Sequence, residues 1–202
     1  KTKVKKVDTC KKTGTSVTFD PDPEIFKDIR FDTNRILDHL REQSYLTRGV
    51  KIVFRDESKK PVFSYAFYFE GGIISFVKYL VEDEKTIHDN IFYVEKTSDN
   101  ILVESAFQYT EDIQSEELSF ANNIHTGEGG MHLTGFRTAL TRSLNDYARK
   151  NGYIKESEEN LTGDDVREGL TVVLSVKLRD PQFEGQTKAR LGNPEARTAA
   201  EA

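Results

Sequence analysis

Apolar residues recur every three or four positions in three stretches of the chain, and this spacing places them on one face of a helix. The three stretches are 32–46, 73–80 and 131–151. A single stripe runs along the longest one: Leu133, Phe136, Leu140, Leu144 and Tyr147. The pattern predicts three helices that each bury one face, and Asp32 or Thr33 can cap the first of them.

Other stretches are rich in β-branched and aromatic residues, which favours strands. Residues 50–55 and 62–69 predict a hairpin, because only a polar turn that contains Pro61 separates them. Five more strands are predicted, over 13–19, 91–95, 101–109, 118–124 and 170–178. The last of these is largely apolar, which is typical of a strand buried on both faces.

The order of these elements indicates the fold class. Strands are followed by the long helix and then by a buried strand, which predicts a mixed α+β domain with helices packed against one sheet. A short helix should begin near Asp164, because its acidic neighbours suit the positive end of a helix. Hydrophobic residues make up 36% of the 202 positions and charged residues 31%, so the chain has enough apolar side chains to form a packed core.

Composition also indicates in which compartment the protein acts and which kinds of partner it can bind. The single cysteine, Cys10, has no partner for a disulfide or a zinc site, which suits a reducing compartment. No run of about 18 apolar residues is present to span a bilayer, so we expect a cytoplasmic protein without a membrane partner. The net charge of −5 predicts no general attraction to nucleic acid, and any DNA contact must use a local basic face.

Motifs that mark self-contained catalysis are missing from the sequence. It has no GxxxxGK[ST] phosphate loop, no HExxH and no GxSxG, which disfavours an independent enzyme. The four histidines are scattered, and we expect polar or capping roles for them. The acidic run 163–169 suits either the first turn of a helix or a magnesium site. Capping is the simpler interpretation, so no metal site is predicted.

Two loops each leave two interpretations open. The glycines within 122–130 either turn backbone amides toward an anion or make a tight turn. Gln186 and Lys188 follow the buried strand in an irregular polar segment, where Lys188 offers up to three hydrogen bonds and Gln186 offers its amide. These two side chains either contact a phosphate or belong to a solvated loop.

The long predicted helix carries three arginines of interest. Arg137 sits at the edge of the apolar stripe, whereas Arg142 and Arg149 project from the opposite face. A charge at the edge of a buried stripe is explained equally well by a phosphate contact and by a structural ion pair or a snorkelling side chain.

Three further segments are informative together, and in chain order they are 120–136 (FANNIHTGEGGMHLTGF), 163–170 (GDDVREGL) and 180–188 (DPQFEGQTK). They resemble the second domain of the ATPase subunits of bacterial type II topoisomerases, gyrase B and topoisomerase IV. The likeness extends through 68–73 and 90–93, and back to 12–15, which looks like the end of the preceding domain. It therefore covers nearly the whole chain, with matching order and spacing.

The resemblance implies a transducer domain over 29–192, with the left-handed βαβ fold shared by GHMP kinases and a ribosomal small-subunit protein. Residues 1–28 would then end an upstream GHKL-type ATPase domain, and 193–202 would begin a linker toward a downstream Toprim domain. In this family a lysine and a glutamine of the transducer reach the γ-phosphate of ATP. These roles would fall on Lys188, as the ATP-sensing catalytic residue, and on Gln186.

The same resemblance implies cofactors and partners. ATP with Mg²⁺ binds in the complete enzyme and closes a dimer gate around a DNA duplex. The implied partners are DNA, a cleavage subunit of the gyrase A type and a second copy of the same subunit. Because the gate encloses DNA, Arg137, Arg142 and Arg149 become candidates for a basic cavity lining.

The two ends of the sequence also carry an expectation. The first residue is Lys1 rather than a methionine, and the last eight residues are helix-prone, so we expect a piece of a longer protein. The family's catalytic glutamate and its magnesium-binding asparagine would lie upstream of Lys1. We therefore expect this piece alone to hold neither ATP nor Mg²⁺ and to be inactive.

Three other classes remain as alternatives. A small-molecule kinase of the GHMP class has a similar fold but needs its own glycine-rich phosphate loop. A noncatalytic nucleic-acid-binding module would resemble the ribosomal relative, although the net acidity disfavours it. A transducer from an Hsp90-like or mismatch-repair ATPase also sends a basic residue to ATP, and the segments 163–170 and 186–188 argue against it.

Overall fold

The computed structural model of the chain describes residues 5–9, 11 and 13–202. The chain forms two compact units, Lys1–Ile36 and Leu37–Ala202. In the first unit the strand predicted over 13–19 is wrong, because no strand among the described residues pairs with this segment. Its apolar side chains are exposed, as at Val17 and Phe19.

Five helices form in the described part of the chain. Their bounds are α1 Thr33–Leu46, α2 Ile73–Leu80, α3 Met131–Lys150, α4 Gly163–Arg167 and α5 Pro194–Glu201. The Asp32 carboxylate caps α1 by accepting a hydrogen bond of 3.2 Å from the Arg35 amide. The three long helices and the short one near Asp164 are confirmed. Among the described residues, none of the helices combines the length and the apolar content that a membrane span requires.

The strands form one large sheet and two hairpins. Their bounds are β1 Ile52–Asp56, β2 Phe63–Phe67, β3 Phe92–Ser98, β4 Ile101–Tyr109, β5 Glu116–Ala121, β6 Ile124–His125, β7 Leu170–Lys177, β8 Phe183–Glu184 and β9 Arg190–Leu191. The five-stranded sheet has the order β3-β4-β7-β5-β6, and antiparallel hairpins pair β1 with β2 and β8 with β9. The predicted hairpin of β1 and β2 is confirmed.

One predicted strand is divided in the structure. The range 118–124 contains β5, a turn and the start of β6, because Asn122 and Asn123 adopt φ values of 48° and 64° and reverse the chain. Two consecutive residues with positive φ match the right-handed twist of a tight hairpin, and asparagine tolerates this conformation. The Asn-Asn pair was therefore the sequence signal for this turn.

Strand β7 lies at the centre of the large sheet. It pairs antiparallel with β4 and parallel with β5, so β5, α3 and β7 form a crossover between neighbouring parallel strands. The mixed sheet packed against helices is confirmed, whereas the left hand of the crossover stays a prediction. Parallel neighbours need such a crossover because a short turn cannot join them.

Both faces of the sheet are covered by helices. Leu170, Val172, Leu174 and Val176 of β7 belong to one core with α3 and α5. Val173 points to the other face and joins a second core with α2 and the end of α1. The alternation follows from the two-residue period of a strand, and it confirms the prediction that this strand is buried on both faces.

The stripe of α3 enters the first core only in part. Leu133, Phe136 and Leu140 are buried and Leu144 packs at the edge of the core. Tyr147 is 59% exposed, and its ring stacks on Tyr153 at a centroid distance of 6.2 Å. The prediction of Tyr147 as part of the buried stripe is wrong, because the last turn of α3 faces the loop that follows it.

Residues 193–202 belong to the second compact unit, since α5 packs closely on α3. Ala196 and Ala199 are buried, and a Cβ atom on Gly135 of α3 would lie 2.3 Å from the carbonyl oxygen of Arg197. Only glycine permits this approach of the two helices. The assignment of 193–202 to the start of a linker, and the boundary after residue 28, stay predictions.

Candidate functional site

The segment that carries Gln186 and Lys188 is the turn of a small hairpin. Strands β8 and β9 flank residues 185–189, which we call the sensor turn. Lys188 adopts a left-handed φ of 57°, and its amide donates to the Gly185 carbonyl at 3.4 Å. The side chains of Gln186 and Lys188 are exposed. The segment is thus a turn with defined geometry.

The ammonium group of Lys188 is available to a ligand. Its nitrogen lies 5.8 Å from the centre of the Phe183 ring, a weak contact at the surface. Among the described residues, no carboxylate forms an ion pair with it. Arg190, two residues further on, does pair with Glu184, at 3.5 Å. The turn therefore presents one uncompensated cation.

The base of the hairpin is fixed by a buried asparagine. Asn193 is fully buried; its side-chain oxygen accepts a hydrogen bond of 2.6 Å from the Gln182 amide, and its side-chain nitrogen donates to the Asp180 carbonyl at 3.1 Å. The Gly192 amide donates to the Gln182 carbonyl at 2.8 Å. Buried hydrogen bonds of this kind hold the two ends of the hairpin together.

The glycine-rich connection before α3 contacts the sensor turn directly. We call residues 126–130 the glycine loop. The Glu128 amide donates to the Ala189 carbonyl at 2.9 Å, and the Leu191 amide donates to the Gly129 carbonyl at 3.1 Å. Two segments that the sequence separates by about 60 positions, the glycine loop and the sensor turn, are therefore adjacent in space.

The geometry of Gly130 explains why the loop needs glycine. Its φ is 135°, a conformation that side chains rarely adopt, and a Cβ atom there would lie 2.3 Å from the Leu191 carbonyl oxygen. The amides of Glu128 and Gly129 are already bonded, the latter to the Thr126 carbonyl at 2.8 Å. These contacts favour the tight-turn interpretation of the glycines over an anion site.

A buried polar network lies beneath the glycine loop. The Thr126 hydroxyl donates to the Ser119 carbonyl at 2.9 Å and lies 3.2 Å from Nε2 of His132. His132 is fully buried, and this burial lowers its pKa to about 4. Sequence reasoning missed this network, although a histidine beside Leu133 at the start of an apolar stripe was a visible signal.

Arg137 forms a structural ion pair. Its Nε donates to the Glu117 carboxylate at 2.7 Å, and the Glu117 side chain is only 6% exposed. Arg167 lies on the other side of the same carboxylate, with an Nε to Oε1 distance of 3.5 Å. Two guanidinium groups thus compensate a nearly buried charge, which accounts for a charged residue at the edge of the apolar stripe.

Arg142 and Arg149 also have partners within the chain. Arg142 donates to the Glu201 carbonyl at 3.2 Å. Arg149 donates to the Asn160 side chain at 2.6 Å and to the Lys155 and Glu158 carbonyls at 3.1 and 2.9 Å. At about 100° per residue, Arg142 and Arg149 lie close together around the axis of α3, whereas Arg137 lies about 140° from Arg142 and about 120° from Arg149. A role for the three in binding DNA stays a prediction.

The acidic segment near α4 is a helix start. Thr162 and Asp165 form a reciprocal capping box, and Asp164 pairs with Arg167. The capping interpretation of these carboxylates is confirmed. In the part of the chain that the structure describes, no group of three or more His, Cys, Asp or Glu side chains could hold a metal ion.

The family model described as DNA gyrase B matches residues 72–202, a range that contains the glycine loop, α3 and the sensor turn. This chain belongs to the DNA gyrase B family. The membership sets aside the GHMP-class kinase, the ribosomal-protein-like module and the Hsp90-like or mismatch-repair transducer as alternatives.

Curated relatives of the gyrase B family are similar over most of the chain. The DNA gyrase B protein of Clostridium acetobutylicum is 51% identical over 185 residues, which cover 91% of this chain and 29% of the relative. The DNA gyrase B protein of Streptococcus pneumoniae serotype 4 is 51% identical, with 91% and 28% covered. The chain thus spans less than a third of the length of these relatives.

Solved gyrase B structures share the fold. The 43K ATPase domain of Thermus thermophilus gyrase B, in complex with an aminocoumarin, superposes with a TM-score of 0.78 at 45% identity and covers 90% of this chain and 48% of that one. The gyrase B protein from Myxococcus xanthus gives a TM-score of 0.76 at 27% identity, with 90% and 50% covered. This chain corresponds to about half of each solved chain.

Proposed function

We propose that this chain is the transducer part of an ATP-dependent type II DNA topoisomerase, in which Lys188 and Gln186 contact the γ-phosphate of ATP. The observation that carries the proposal is the exposed ammonium group of Lys188, which forms no ion pair with any described residue and stands at the turn of an anchored hairpin. A fixed lysine can donate up to three hydrogen bonds to phosphate oxygens, and the Gln186 amide can add another.

The two side chains can serve only as part of a nucleotide site. Both are exposed on a turn, so they can contact one phosphate group but cannot enclose the base, the ribose or Mg²⁺. Another part of the complete protein must hold these groups. The share of the relatives that lies outside this chain leaves room for such a part, and the Thermus thermophilus relative is described as an ATPase domain.

The proposed role couples the state of the nucleotide to the position of the domain. An intact γ-phosphate attracts Lys188, and hydrolysis with phosphate release removes this attraction. ATP then binds more tightly when the transducer part lies close to the part that holds the rest of the nucleotide. A ligand that binds one arrangement more tightly than another shifts the equilibrium between them. In the complete enzyme this shift would close a gate on a DNA duplex and drive strand passage and supercoiling, with a cleavage subunit of the gyrase A type and a second copy of the subunit as partners.

Chemical protection of Lys188 tests the γ-phosphate contact. In the complete subunit, a non-hydrolysable ATP analogue should slow acetylation of Lys188 by an amine-reactive reagent by about tenfold or more, since a charge-assisted hydrogen bond is worth about 1.5 to 3 kcal/mol. ADP lacks the γ-phosphate and should change the rate less than about twofold. Mass spectrometry of the labelled peptides measures both rates.

Lys51, an exposed lysine outside the sensor turn, is the internal control, and its labelling should be the same with either nucleotide. Equal protection of Lys188 by ADP and by the ATP analogue would show that this side chain does not distinguish the γ-phosphate. The proposed role would then be wrong.

The arginines of α3 carry a second prediction, that they line the DNA cavity of the complete enzyme. Replacement of Arg137, Arg142 and Arg149 by glutamine should weaken DNA binding and supercoiling. Each residue that contacts a phosphate should lower the slope of log affinity against log salt concentration by about 1, because it releases about one counterion. Titration of the complete enzyme with duplex DNA at several salt concentrations measures this slope.

A Lys51→Gln variant controls for the loss of a positive charge elsewhere. Thermal unfolding of the same proteins is needed because Arg137 and Arg149 also stabilise the fold through Glu117 and the loop of Asn160. A folded triple variant with the unchanged salt slope would contradict the DNA role.

A further inference from the structure

The sensor turn has few contacts of its own that could hold Lys188 in one position. Its internal hydrogen bond, from the Lys188 amide to the Gly185 carbonyl, is long at 3.4 Å. The ion pair between Arg190 and Glu184, at 3.5 Å, joins two side chains that are each about half exposed or more, and such pairs contribute little. The position of Lys188 must therefore depend on what the turn rests against.

The glycine loop provides that support on the side of β9. Its two backbone hydrogen bonds reach Ala189, the residue after Lys188, and Leu191, at 2.9 and 3.1 Å. Gly130 also forms a parallel β-bridge with Leu191, and their backbones are so close that a Cβ atom could not fit between them. Any displacement of the glycine loop must therefore displace the residues that follow Lys188.

The glycine loop is itself fixed to the large sheet. The Thr126 amide donates to the Ser119 carbonyl at 2.8 Å, and the Thr126 hydroxyl donates to the same carbonyl at 2.9 Å. The Ser119 hydroxyl lies 2.7 Å from the Thr126 hydroxyl, and Nε2 of His132, at the start of α3, lies 3.2 Å from the same Thr126 hydroxyl. All three residues are buried. The loop thus connects β5 and α3 to the sensor turn through a buried hydrogen-bond network.

We infer that the glycine loop is a positioning element for Lys188, with Gly130 and Thr126 as the positioning residues. It sets the location from which the ammonium group meets the γ-phosphate. The inference rests on the proposed γ-phosphate contact of Lys188. A displacement of about 1 Å in a reacting or stabilising group can cost about 100-fold in rate, so such a support is needed for turnover even though it touches no substrate.

A double-mutant cycle in the complete subunit tests this inference. Gly130→Ala places a methyl group against the Leu191 carbonyl and should displace β9 together with the sensor turn. The expected kcat for ATP hydrolysis is lower by about 10- to 100-fold, with KM for ATP within about twofold. When Lys188 is already alanine, Gly130→Ala should lower kcat further by less than about twofold, because the group it positions is gone.

Gly152→Ala is the matched control. Gly152 also has a positive φ, of 75°, but no atom lies within 4 Å of the Cβ position. This substitution also places a side chain at a positive φ, although not at the φ of 135° of Gly130, and it does not touch β9, so kcat should stay within about twofold of the parent. A kcat that falls as much as in Gly130→Ala would overturn the inference, since strain alone would then account for the effect.

If Gly130→Ala does not fold, a second pair of variants, at Thr126, tests the positioning role. Thr126→Val keeps the shape of the side chain and removes the hydroxyl that bonds to Ser119 and lies against His132. It should lower kcat about tenfold, again only when Lys188 is present, and Thr126→Ser should restore most of the loss. A Thr126→Val enzyme with the kcat of the parent would overturn the inference.

The cycle separates this inference from the proposed function. If Lys188→Ala alone leaves turnover near normal, the γ-phosphate contact itself is wrong. If Lys188→Ala is severely impaired but Gly130→Ala and Thr126→Val lower kcat equally in both backgrounds, the contact stands and the positioning role is wrong. Both the γ-phosphate contact and the positioning role are supported if the effects of the single variants on kcat are strongly non-additive and KM is unchanged.

Discussion

Replacement of Lys188 by alanine in the complete subunit should lower the rate of ATP hydrolysis by roughly 100- to 1000-fold. Negative charge develops on the phosphoryl oxygens as the γ-phosphate is transferred, and removal of a fixed donor aimed at such charge costs about this much in other enzymes. In the proposed role Lys188 is this donor, and no carboxylate of the described residues is paired with it. Steady-state turnover with and without DNA measures the effect.

Two further variants sharpen this prediction. Lys188→Arg keeps the charge but replaces a compact ammonium by a wider planar group, so its turnover should lie between those of the parent and Lys188→Ala. Gln186→Ala removes a neutral donor, whose hydrogen bond is about half as strong as a charged one, and should cost about tenfold. Supercoiling should fall in the same order as turnover.

Lys51→Ala is the control for loss of an exposed lysine and should leave turnover within about twofold of the parent. Near-normal hydrolysis in Lys188→Ala would contradict the assignment directly. This conclusion holds whether or not such a variant still supercoils DNA.

The second large effect is a loss of stability at low pH that arises from the buried His132. Its pKa of about 4 in the folded chain lies below the ordinary value of 6.5, because burial disfavours the charged form. Above pH 6.5 the residue is neutral in both states and has no effect on the pH dependence. Below pH 6.5 the unfolded chain takes up a proton that the folded chain does not, so the free energy of unfolding decreases as the pH falls.

The expected loss is about 3 kcal/mol in total, from a pKa difference of about 2.5 at about 1.36 kcal/mol per pH unit. It should develop between pH 6.5 and 4 and level off below pH 4. His132→Gln can keep a hydrogen bond to Thr126 but cannot titrate, so this variant should lose much less stability over the same range. Urea unfolding of the chain at a series of pH values measures both curves.

His39→Gln is the matched control, because His39 is exposed on α1 and its replacement removes a histidine without changing the core. Its stability should follow the pH dependence of the parent chain. If His132→Gln also follows the parent curve, the buried imidazole is not the source of the acid sensitivity, and other buried or paired groups must account for it.

Sequence patterns predicted the regular elements well where one periodicity dominated. Helix α3 and strands β4 and β7 were found within one or two residues of their observed ends, because burial on one helical face or on both sides of a strand leaves a strong local pattern. The prediction of a strand over 13–19 was wrong because it used the local pattern alone. Alternation can favour an extended chain, but a strand also needs a hydrogen-bonded neighbour, which local sequence does not provide.

The arginines illustrate a limit of sequence reasoning about sites. The helical pattern identified Arg137 as unusual, yet its partner Glu117 lies 20 positions earlier on β5 and is nearly buried there. Whether a charge on a helix is free or paired depends on which strand packs beside it. That neighbour is set by the order of strands in the sheet, which a single sequence does not reveal.

The sequence by itself determined the chemical identity of the sensor turn: a lysine and a glutamine after a buried strand, with segments before them that resemble one family. Only the tertiary structure decided that the Lys188 ammonium is unpaired among the described residues and that the glycine loop supports the turn through Ala189 and Leu191. The physical reason is that donor groups are properties of residue type, whereas their position and compensation depend on contacts between segments far apart in the chain.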